Sequence, residues 1–574
     1  MLVQMWFHNA YICCMKLVAR LQNKTFWGVL LVNAAVLVLG LILAGWRYES
    51  CDDYFMHSVL TGAYGGAYDL HLYFINAAYA IFLRPFYVFF PSVGWYSLFE
   101  SATVLASFVV ISCLLIKQFG IKLGGSFALL LLACASFDFY LHIEFTKCAG
   151  AATAAGIFLY VVGDNKKNGL YLAFGGLFMI VGFVFRKEMF LLGMPTFAVI
   201  LFFITIRRMH IWKWSGFALV VIVALILGLN SFDSYLYKGN GYEYYAAYQK
   251  PRAYFGDGDF FDTQAFSDEL DERGIGSRNY RYLRAWHFYD NNVFSLDSMN
   301  ALIEIANRYV YEPNYLKMPF AIVRAISDKL GSRVWLWALV CFSLIYYSNK
   351  KYWWVPWVSF ALVCLPYAYL LAINRVLDHV EAGIWLYAII FSLFFIDRND
   401  FQTEKGGRKF FLIVWLMCVV GFVFSVITFT ISDSSRRHKP NGVDWNAFLE
   451  YTKERPNDVF LLPFERYMQM AEFVGTIYRA VPPHSLDNIY STGYWNIHLP
   501  PMTRELEKRG ATNMFRDIKN DNVYTLSDRK ALSFIPFYFE HYYEQLEIDT
   551  IRSFGSVSLL KYRLRGTPNE DALY

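Results

Sequence analysis

The residues able to do chemistry in this chain sit at the ends of apolar runs. Asp52 and Asp53 form an adjacent carboxylate pair just beyond the first such run, Phe26 to Trp46, and His57, Asp69 and His71 follow in the same polar stretch. Later junctions carry Asp138, His142, Glu144 and Lys147, then Arg186-Lys187-Glu188, then Asn374-Arg375 with Asp378-His379. Carboxylates and imidazoles move protons. Arginine and lysine hold anions, and arginine grips two phosphate oxygens at once through its planar fork. Two neighbouring carboxylates also repel, which raises the pKa of one of them. In a membrane protein, ionisable groups at span ends are functional candidates where they face a shared cavity. Plainer readings compete at each position: Arg186 and Lys187 as cations snorkelling to lipid headgroups, Asp378-His379 as a polar turn, and Asp52-Asp53 and His142-Glu144 as solvated loop groups.

The elements that must position these residues are membrane spans. Of 574 residues, 56% are hydrophobic, 19% aromatic and only 17% charged, with a mean hydropathy of +0.31. A soluble domain of this size needs roughly a quarter charged residues to solvate its surface. The apolar residues fall in blocks of about 17–22, the length that crosses a bilayer core as helix. A net charge of +5 is modest, and its basic residues cluster between the apolar blocks. That pattern orients a chain in a membrane and does not mark a nucleic-acid binder. The first run lacks a small-residue cleavage site and is followed by Arg47 and Glu49, as expected of a retained anchor. The nine cysteines show no metal spacing, and only Cys51 belongs to a predicted outer loop, so neither a disulfide framework nor a zinc site is implied.

The pattern predicts an α-helical polytopic protein with eleven spans: 26–46, 95–116, 123–141, 148–163, 169–185, 189–206, 215–231, 333–347, 352–372, 380–396 and 410–431. With the N-terminus inside, every inner connection is basic: Lys16, Arg20 and Lys24; Lys117 and Lys122; Lys166 and Lys167; Arg207, Arg208 and Lys213; Lys350 and Lys351; Arg398, Lys405, Arg408 and Lys409. The C-terminus then lies outside. Leu72 to Phe90 is apolar enough to tempt a further span, which would invert everything downstream. Its Asn76, Arg84 and Pro85 read instead as a helix lying at the outer interface.

The domain plan is a cytoplasmic segment 1–25, a transmembrane domain 26–431 with outer loops 47–94 and 232–332, and an extracytoplasmic region 432–574. That last region has strand-like runs at Val459–Leu462, Val523–Leu526 and Ser556–Tyr562 and helical patterns near Phe464–Ala480 and Met502–Arg509, which predict a small α/β domain.

The segment from Arg47 to Gln118 carries a resemblance. A span is followed by Cys51-Asp52-Asp53-Tyr54, then the Gly-rich turn Thr61-Gly62-Ala63-Tyr64-Gly65-Gly66. Next come Asp69-Leu70-His71-Leu72-Tyr73-Phe74-Ile75-Asn76 and Trp95-Tyr96, which opens the second span. This order resembles the GT-C class of polytopic glycosyltransferases, which includes protein mannosyltransferases and aminoarabinose transferases, and poorly characterised bacterial membrane proteins with the same first loop. The acidic pair is Asp-Asp where other members of the class have Asp-Glu or a lone Glu, and the Trp-Trp-Asp signature of oligosaccharyltransferases is absent.

The resemblance implies transfer of a sugar from a polyprenyl-phosphate donor to a cell-envelope glycan or lipid acceptor, on the outer face of a bacterial plasma (inner) membrane. Asp52 or Asp53 is then the base that deprotonates the acceptor hydroxyl, a step worth about 10²–10⁴-fold. Arg186, Lys187 and Arg375 are the cations for the leaving phosphate, and His57, His71, Glu144 and His379 line the substrate. Metal use varies across the class, and a divalent cation is compatible with it. Two other readings fit the same composition. A surface-polysaccharide polymerase or ligase would lean on arginines of the outer loop 232–332, such as Arg252, Arg281 and Arg284. A transporter or flippase of lipid-linked sugar would need charges buried within spans, of which Glu100 is the main instance.

Overall fold

A computed structural model of the protein describes residues 24–44, 48–208, 212–257, 261–311, 316–330, 352–373, 378–395, 442–527 and 534–565, with four single positions between 416 and 427. The predicted spans 333–347 and 410–431 therefore fall outside the described residues, apart from those four positions. So do Arg375 and the connection it belongs to.

The membrane part is built from α1 (Lys24–Ala44), α4 (Trp95–Ser136), α5 (Phe145–Asn165), α6 (Gly169–Phe185), α7 (Lys187–Arg208), α8 (Lys213–Leu236), α14 (Val355–Ala372) and α15 (Asp378–Phe394). Six of the described helices have the length and apolarity to cross a membrane, and α6 and α15 are shorter apolar helices. At the centre stands α5, whose small residues let neighbours close in until every side chain along it from Phe145 to Asp164 is buried. Gly156 shows why small residues are needed: a Cβ there would lie 2.8 Å from the Gly175 carbonyl of α6. At the rim, α8 exposes Trp214, Phe217, Val220, Leu225 and Leu227. An apolar face of that size is stable against lipid, not water.

One long helical stretch is in fact two passes. At Gly120 the backbone leaves helical geometry (φ 83°, ψ 168°). The Phe108 ring then lies 5.3 Å from Phe139 and 5.5 Å from Tyr140. An uninterrupted helix, rising 1.5 Å per residue, would hold those rings more than about 40 Å apart. The chain turns back as the two predicted spans 95–116 and 123–141 require, and a π-helical turn, Phe137–Leu141, ends the second pass.

The stretch after the first loop forms α3 (Ala77–Phe89), with Pro85 inside it. Its 13 residues rise only about 20 Å, short of the roughly 30 Å hydrocarbon core. Asn76 caps it by accepting from the Ala78 N–H (3.0 Å) and donates to the Leu229 carbonyl of α8 (3.2 Å).

Outside this bundle three pieces pack as one body: the first loop with α2 (Cys51–Leu60), the insertion with α9 (Tyr242–Gly256), α10 (Thr263–Glu272), α11 (Ser277–Arg284) and α12 (Leu296–Ala306), and the C-terminal region, while the insertion's last helix, α13 (Met318–Leu330), packs against α14 of the bundle. The last holds α16 (Trp445–Lys453), β1 (Val459–Leu462), α17 (Phe464–Val474), β2 (Ile489–Ser491), α18 (Pro500–Lys508), β3 (Val523–Ser527), α19 (Phe534–Tyr542), β4 (Leu546–Phe554) and β5 (Val557–Leu564). The sheet order is β2-β1-β3-β5-β4. The strands β2, β1 and β3 run parallel, pairing Phe460 with Ile489 and Val459 with Val523, while β5 and β4 continue antiparallel.

Backbone bonds sew the pieces together. The Gly-rich turn receives the segment before β2, with His484 N–H donating to the Gly62 carbonyl (3.0 Å) and Leu486 N–H to that of Ala63 (2.9 Å). Phe55 stacks on Tyr467 at 4.1 Å, and Trp286 of the insertion stacks on Phe464 at 4.4 Å. Asn513 donates to Asp290 of the insertion at 2.9 Å. The Gly-rich turn thus serves as the seat of the C-terminal region.

Candidate functional site

The acidic pair opens α2. Ser50 caps the helix by accepting from the Asp52 N–H (3.0 Å), and both aspartates lie in its first turn, where the helix dipole favours negative charge. Consecutive helix positions diverge by about 100°, so the two carboxylates enter different surroundings.

Asp52 turns toward the loop that leaves the carboxyl end of β2. Its Oδ1 accepts from the Tyr494 hydroxyl and from the Trp495 indole N–H (3.0 Å). It remains partly exposed. Burial pushes its carboxyl above the usual range, opposed by the Tyr494 hydrogen bond and then by the charges of His379, Arg186 and Arg252. Those three groups come from α15, the turn between α6 and α7, and α9, so four distant parts of the chain converge on one carboxylate.

Asp53 turns inward and is fully buried. Tyr96 donates to its Oδ1 at 2.8 Å, and its carboxyl faces that of Glu100 on α4, each acting on the other's ionisation. Among the described residues no other group hydrogen-bonds to Asp53 Oδ2 or Glu100 Oε1. Two bare carboxylates in such contact would repel strongly in a low-dielectric interior, so the pair holds a shared proton. Burial, then Glu100 and Glu144 nearby, hold Asp53 well above the ordinary carboxylate range. This arrangement ties α2 to α4 and leaves Asp53 with no exposed surface.

Of the expected substrate residues, His379 is the one whose charge acts on Asp52. The His57 ring is sealed between the Tyr48 hydroxyl (2.5 Å from Nδ1) and the Tyr87 hydroxyl (2.7 Å from Nε2), stacked on Tyr96 at 5.5 Å. Burial lowers its pKa to about 3, and it is a neutral core residue. The imidazole of His71 contacts Asp69 (2.6 Å) and the Leu236 carbonyl (3.1 Å) and stacks on Tyr242 at 3.5 Å, tethering the first loop to the ends of α8 and α9. Burial alone would raise Asp69, but hydrogen bonds from His71 and Tyr242 outweigh it and hold it low. The Glu144 carboxylate caps α5, accepting from the Thr146 N–H and hydroxyl (both 2.9 Å) and the Lys147 N–H (3.3 Å). His379 acts on it electrostatically, so it stands beside the site with its oxygens already engaged.

The adjacent cations also part. Arg186 is the single residue between α6 and α7, and its guanidinium lies over the rings of Phe74 (4.8 Å) and Phe145 (5.4 Å) with Nε 2.9 Å from Glu188. Lys187 points the other way, to Asn230 of α8 at 3.1 Å in an exposed contact, as a headgroup-facing cation does.

Sequence reasoning missed Tyr494 and Trp495 as partners of Asp52. It also missed the line running on from them: Gln249 donates to the Trp495 carbonyl (2.7 Å) and accepts from Arg252 Nε (2.7 Å). A signal exists only once β2 is known, since ligands of α/β sheets gather at the carboxyl ends of parallel strands and Gly493-Tyr494-Trp495 follow just beyond it. Among the described residues no group of three or more His, Cys, Asp or Glu is disposed to hold a metal ion.

No family model matches the sequence, and no curated protein matches it. Two solved structures of ArnT from Cupriavidus metallidurans are similar. The one bound to undecaprenyl phosphate aligns over 95% of this chain and 100% of that one at 12% identity, with a TM-score of 0.38. The apo structure aligns over 95% and 99% at 12% identity, with a TM-score of 0.41.

Proposed function

We propose that this chain is a multi-pass membrane glycosyltransferase of the GT-C kind, which moves a sugar from a polyprenyl-phosphate donor to a glycan or lipid acceptor on the outer face of a bacterial inner membrane. The reading keeps the eleven-span, N-inside topology of the basic clusters. One observation carries it: Asp52, a partly exposed carboxylate raised by burial, stands within charge reach of Arg186, Arg252 and His379.

In this reaction the acceptor hydroxyl attacks the anomeric carbon and gives its proton to Asp52. The bond from that carbon to the donor phosphate oxygen breaks, and its electron pair leaves with polyprenyl phosphate. A raised pKa suits the base, because proton transfer is most effective when the catalytic pKa approaches the working pH. Arg186 takes up the charge growing on the leaving phosphate, with the aromatic faces of Phe74 and Phe145 fixing its guanidinium. With Asp53 paired to Glu100, a single carboxylate serves the reacting carbon, and configuration there inverts.

The test is release of polyprenyl phosphate, and labelling of acceptor, by protein reconstituted in liposomes with a panel of polyprenyl-phosphate sugars. Turnover that is lost in Asp52→Asn supports the reading. No turnover with any donor and acceptor fraction contradicts it. The polymerase or ligase reading draws support from Arg252, since two lipid-linked glycans bring two anionic groups and Arg186 and Arg252 would take one each. Chain-length growth of a lipid-linked oligosaccharide in the same assay identifies that activity.

A further inference from the structure

We propose that Tyr494 and Trp495 are positioning residues for Asp52, so that the C-terminal region builds part of the reacting site on the membrane domain. The inference rests on the reading of Asp52 as the base.

The geometry is specific. Both donors converge on one oxygen, Oδ1, and among the described residues no donor reaches Oδ2. A carboxylate held by two bonds at one oxygen cannot rotate freely, and the other oxygen stays available to accept a proton. Both donors are themselves fixed. Tyr494 is buried, receives a contact from Cys51 Sγ at 3.0 Å, and packs edge-on against Phe55 at 5.1 Å. Trp495 is among the most buried large side chains, stacks near Tyr73 at 6.2 Å, and has its carbonyl bound by Gln249. The loop carrying them is pinned at its base, where Thr492 N–H donates to the Leu462 carbonyl (3.1 Å) and accepts through its own carbonyl from Phe288 (2.9 Å). Among the described residues, both hydrogen bonds to the Asp52 carboxylate therefore come from a stretch more than four hundred residues away in sequence, attached through the sheet. The ordering free energy is spent in folding, before substrate arrives.

The same contacts predict a pH signature. The Tyr494 hydrogen bond favours the ionised form of Asp52 and opposes the effect of burial. Its removal raises the carboxyl further, so less base is present on the acid side. A residue with only a structural role would lower the amount of active protein without moving the pH profile.

The experiment compares Tyr494→Phe and Trp495→Phe in the full-length reconstituted protein, measuring kcat, donor KM and the pH dependence of kcat. Tyr494→Phe removes the donor and keeps the ring, while Trp495→Phe removes the donor and shrinks the buried indole to a phenyl ring. The expected result is a fall in kcat of about 10- to 100-fold with donor KM little changed, and in Tyr494→Phe an acid limb displaced to higher pH. Unchanged kcat and an unmoved acid limb in Tyr494→Phe would overturn the inference, and if Trp495→Phe fails to fold the tyrosine variant decides alone. Asp52→Asn, run alongside, separates the two levels. Loss of activity there with normal Tyr494→Phe kinetics sinks the positioning role alone, whereas full activity in Asp52→Asn sinks the base assignment and the inference together.

Discussion

Replacing Gly493 by alanine tests how the loop that carries Tyr494 is held. A Cβ at this position would lie 1.5 Å from the Trp286 carbonyl oxygen and 2.3 Å from its carbon. Ordinary contact between such atoms is near 3.3 Å or more, so the loop and the insertion must separate by nearly 2 Å, and the obstacle is backbone that no rotamer can move. Separation breaks the Phe288–Thr492 backbone bond (2.9 Å) and the His287–Thr492 contact (3.2 Å). At about 1 kcal/mol net for each hydrogen bond, with some loss of the Trp286–Phe464 stack, the substitution costs roughly 2–4 kcal/mol at this interface. Thermal melting of purified protein in nanodiscs, followed by tryptophan fluorescence, is expected to show a transition lowered by about 2–3 °C, the cost divided by an unfolding entropy that grows with chain length. Transfer activity falls with it, because Tyr494 and Trp495 move. The control is Gly216→Ala, where a Cβ meets nothing within 4 Å. An unchanged melt and unchanged activity in Gly493→Ala would refute this account of the loop.

Three further outcomes are expected. Glu100→Gln keeps a hydrogen-bonding partner for Asp53 and is tolerated, whereas Glu100→Ala leaves a buried carboxyl without its partner and costs about 2–4 kcal/mol in the same melt; equal behaviour of the two would contradict the paired carboxyls. The pKa of His57 is about 3 in the fold against 6.5 unfolded, so its contribution to stability is complete above pH 6.5 and is lost as pH falls toward 3. Melting temperature measured between about pH 7 and pH 5 should drop in the native protein and drop less in His57→Gln. Arg186→Ala should raise donor KM or lower kcat by about tenfold or more, since a charge-assisted bond to phosphate is worth roughly 1.5–3 kcal/mol, while Lys187→Ala stays within about twofold. Equal losses would show that Lys187, despite its bond to Asn230, serves the same phosphate.

Much of the architecture was legible because apolar length and basic flanks are one-dimensional signals. The helices α6 and α7 and the strand β1 form where the runs 169–185, 189–206 and Val459–Leu462 predict them, and the turn at Gly120 falls between the predicted spans 95–116 and 123–141. The helix predicted over Phe464–Ala480 stops earlier, at Val474, because Gly475 adopts extended backbone. The site was legible only in part. Asp52 and Asp53 look alike in sequence, and their difference comes from what packs on each side of one helical turn. Glu100 stood out as the acid inside a span, yet nothing nearby in sequence names Asp53 as its partner. His57 and His71 have the right type for substrate binding, but Tyr48, Tyr87 and Tyr242 had already claimed them. Tyr494 and Trp495 reach Asp52 only through the fold of the C-terminal sheet and its seat on the Gly-rich turn, which no local pattern encodes.

The most direct measurement is sugar transfer by Asp52→Asn and Asp53→Asn, assayed side by side in liposomes with the same donor. Asparagine at 52 removes the proton acceptor and should reduce turnover by at least about 10²-fold. At 53 the amide can still accept from Tyr96 and donate to Glu100, so turnover should stay within a few-fold of the native protein. The reverse pattern, with Asp53→Asn inactive and Asp52→Asn near normal, would contradict the central claim.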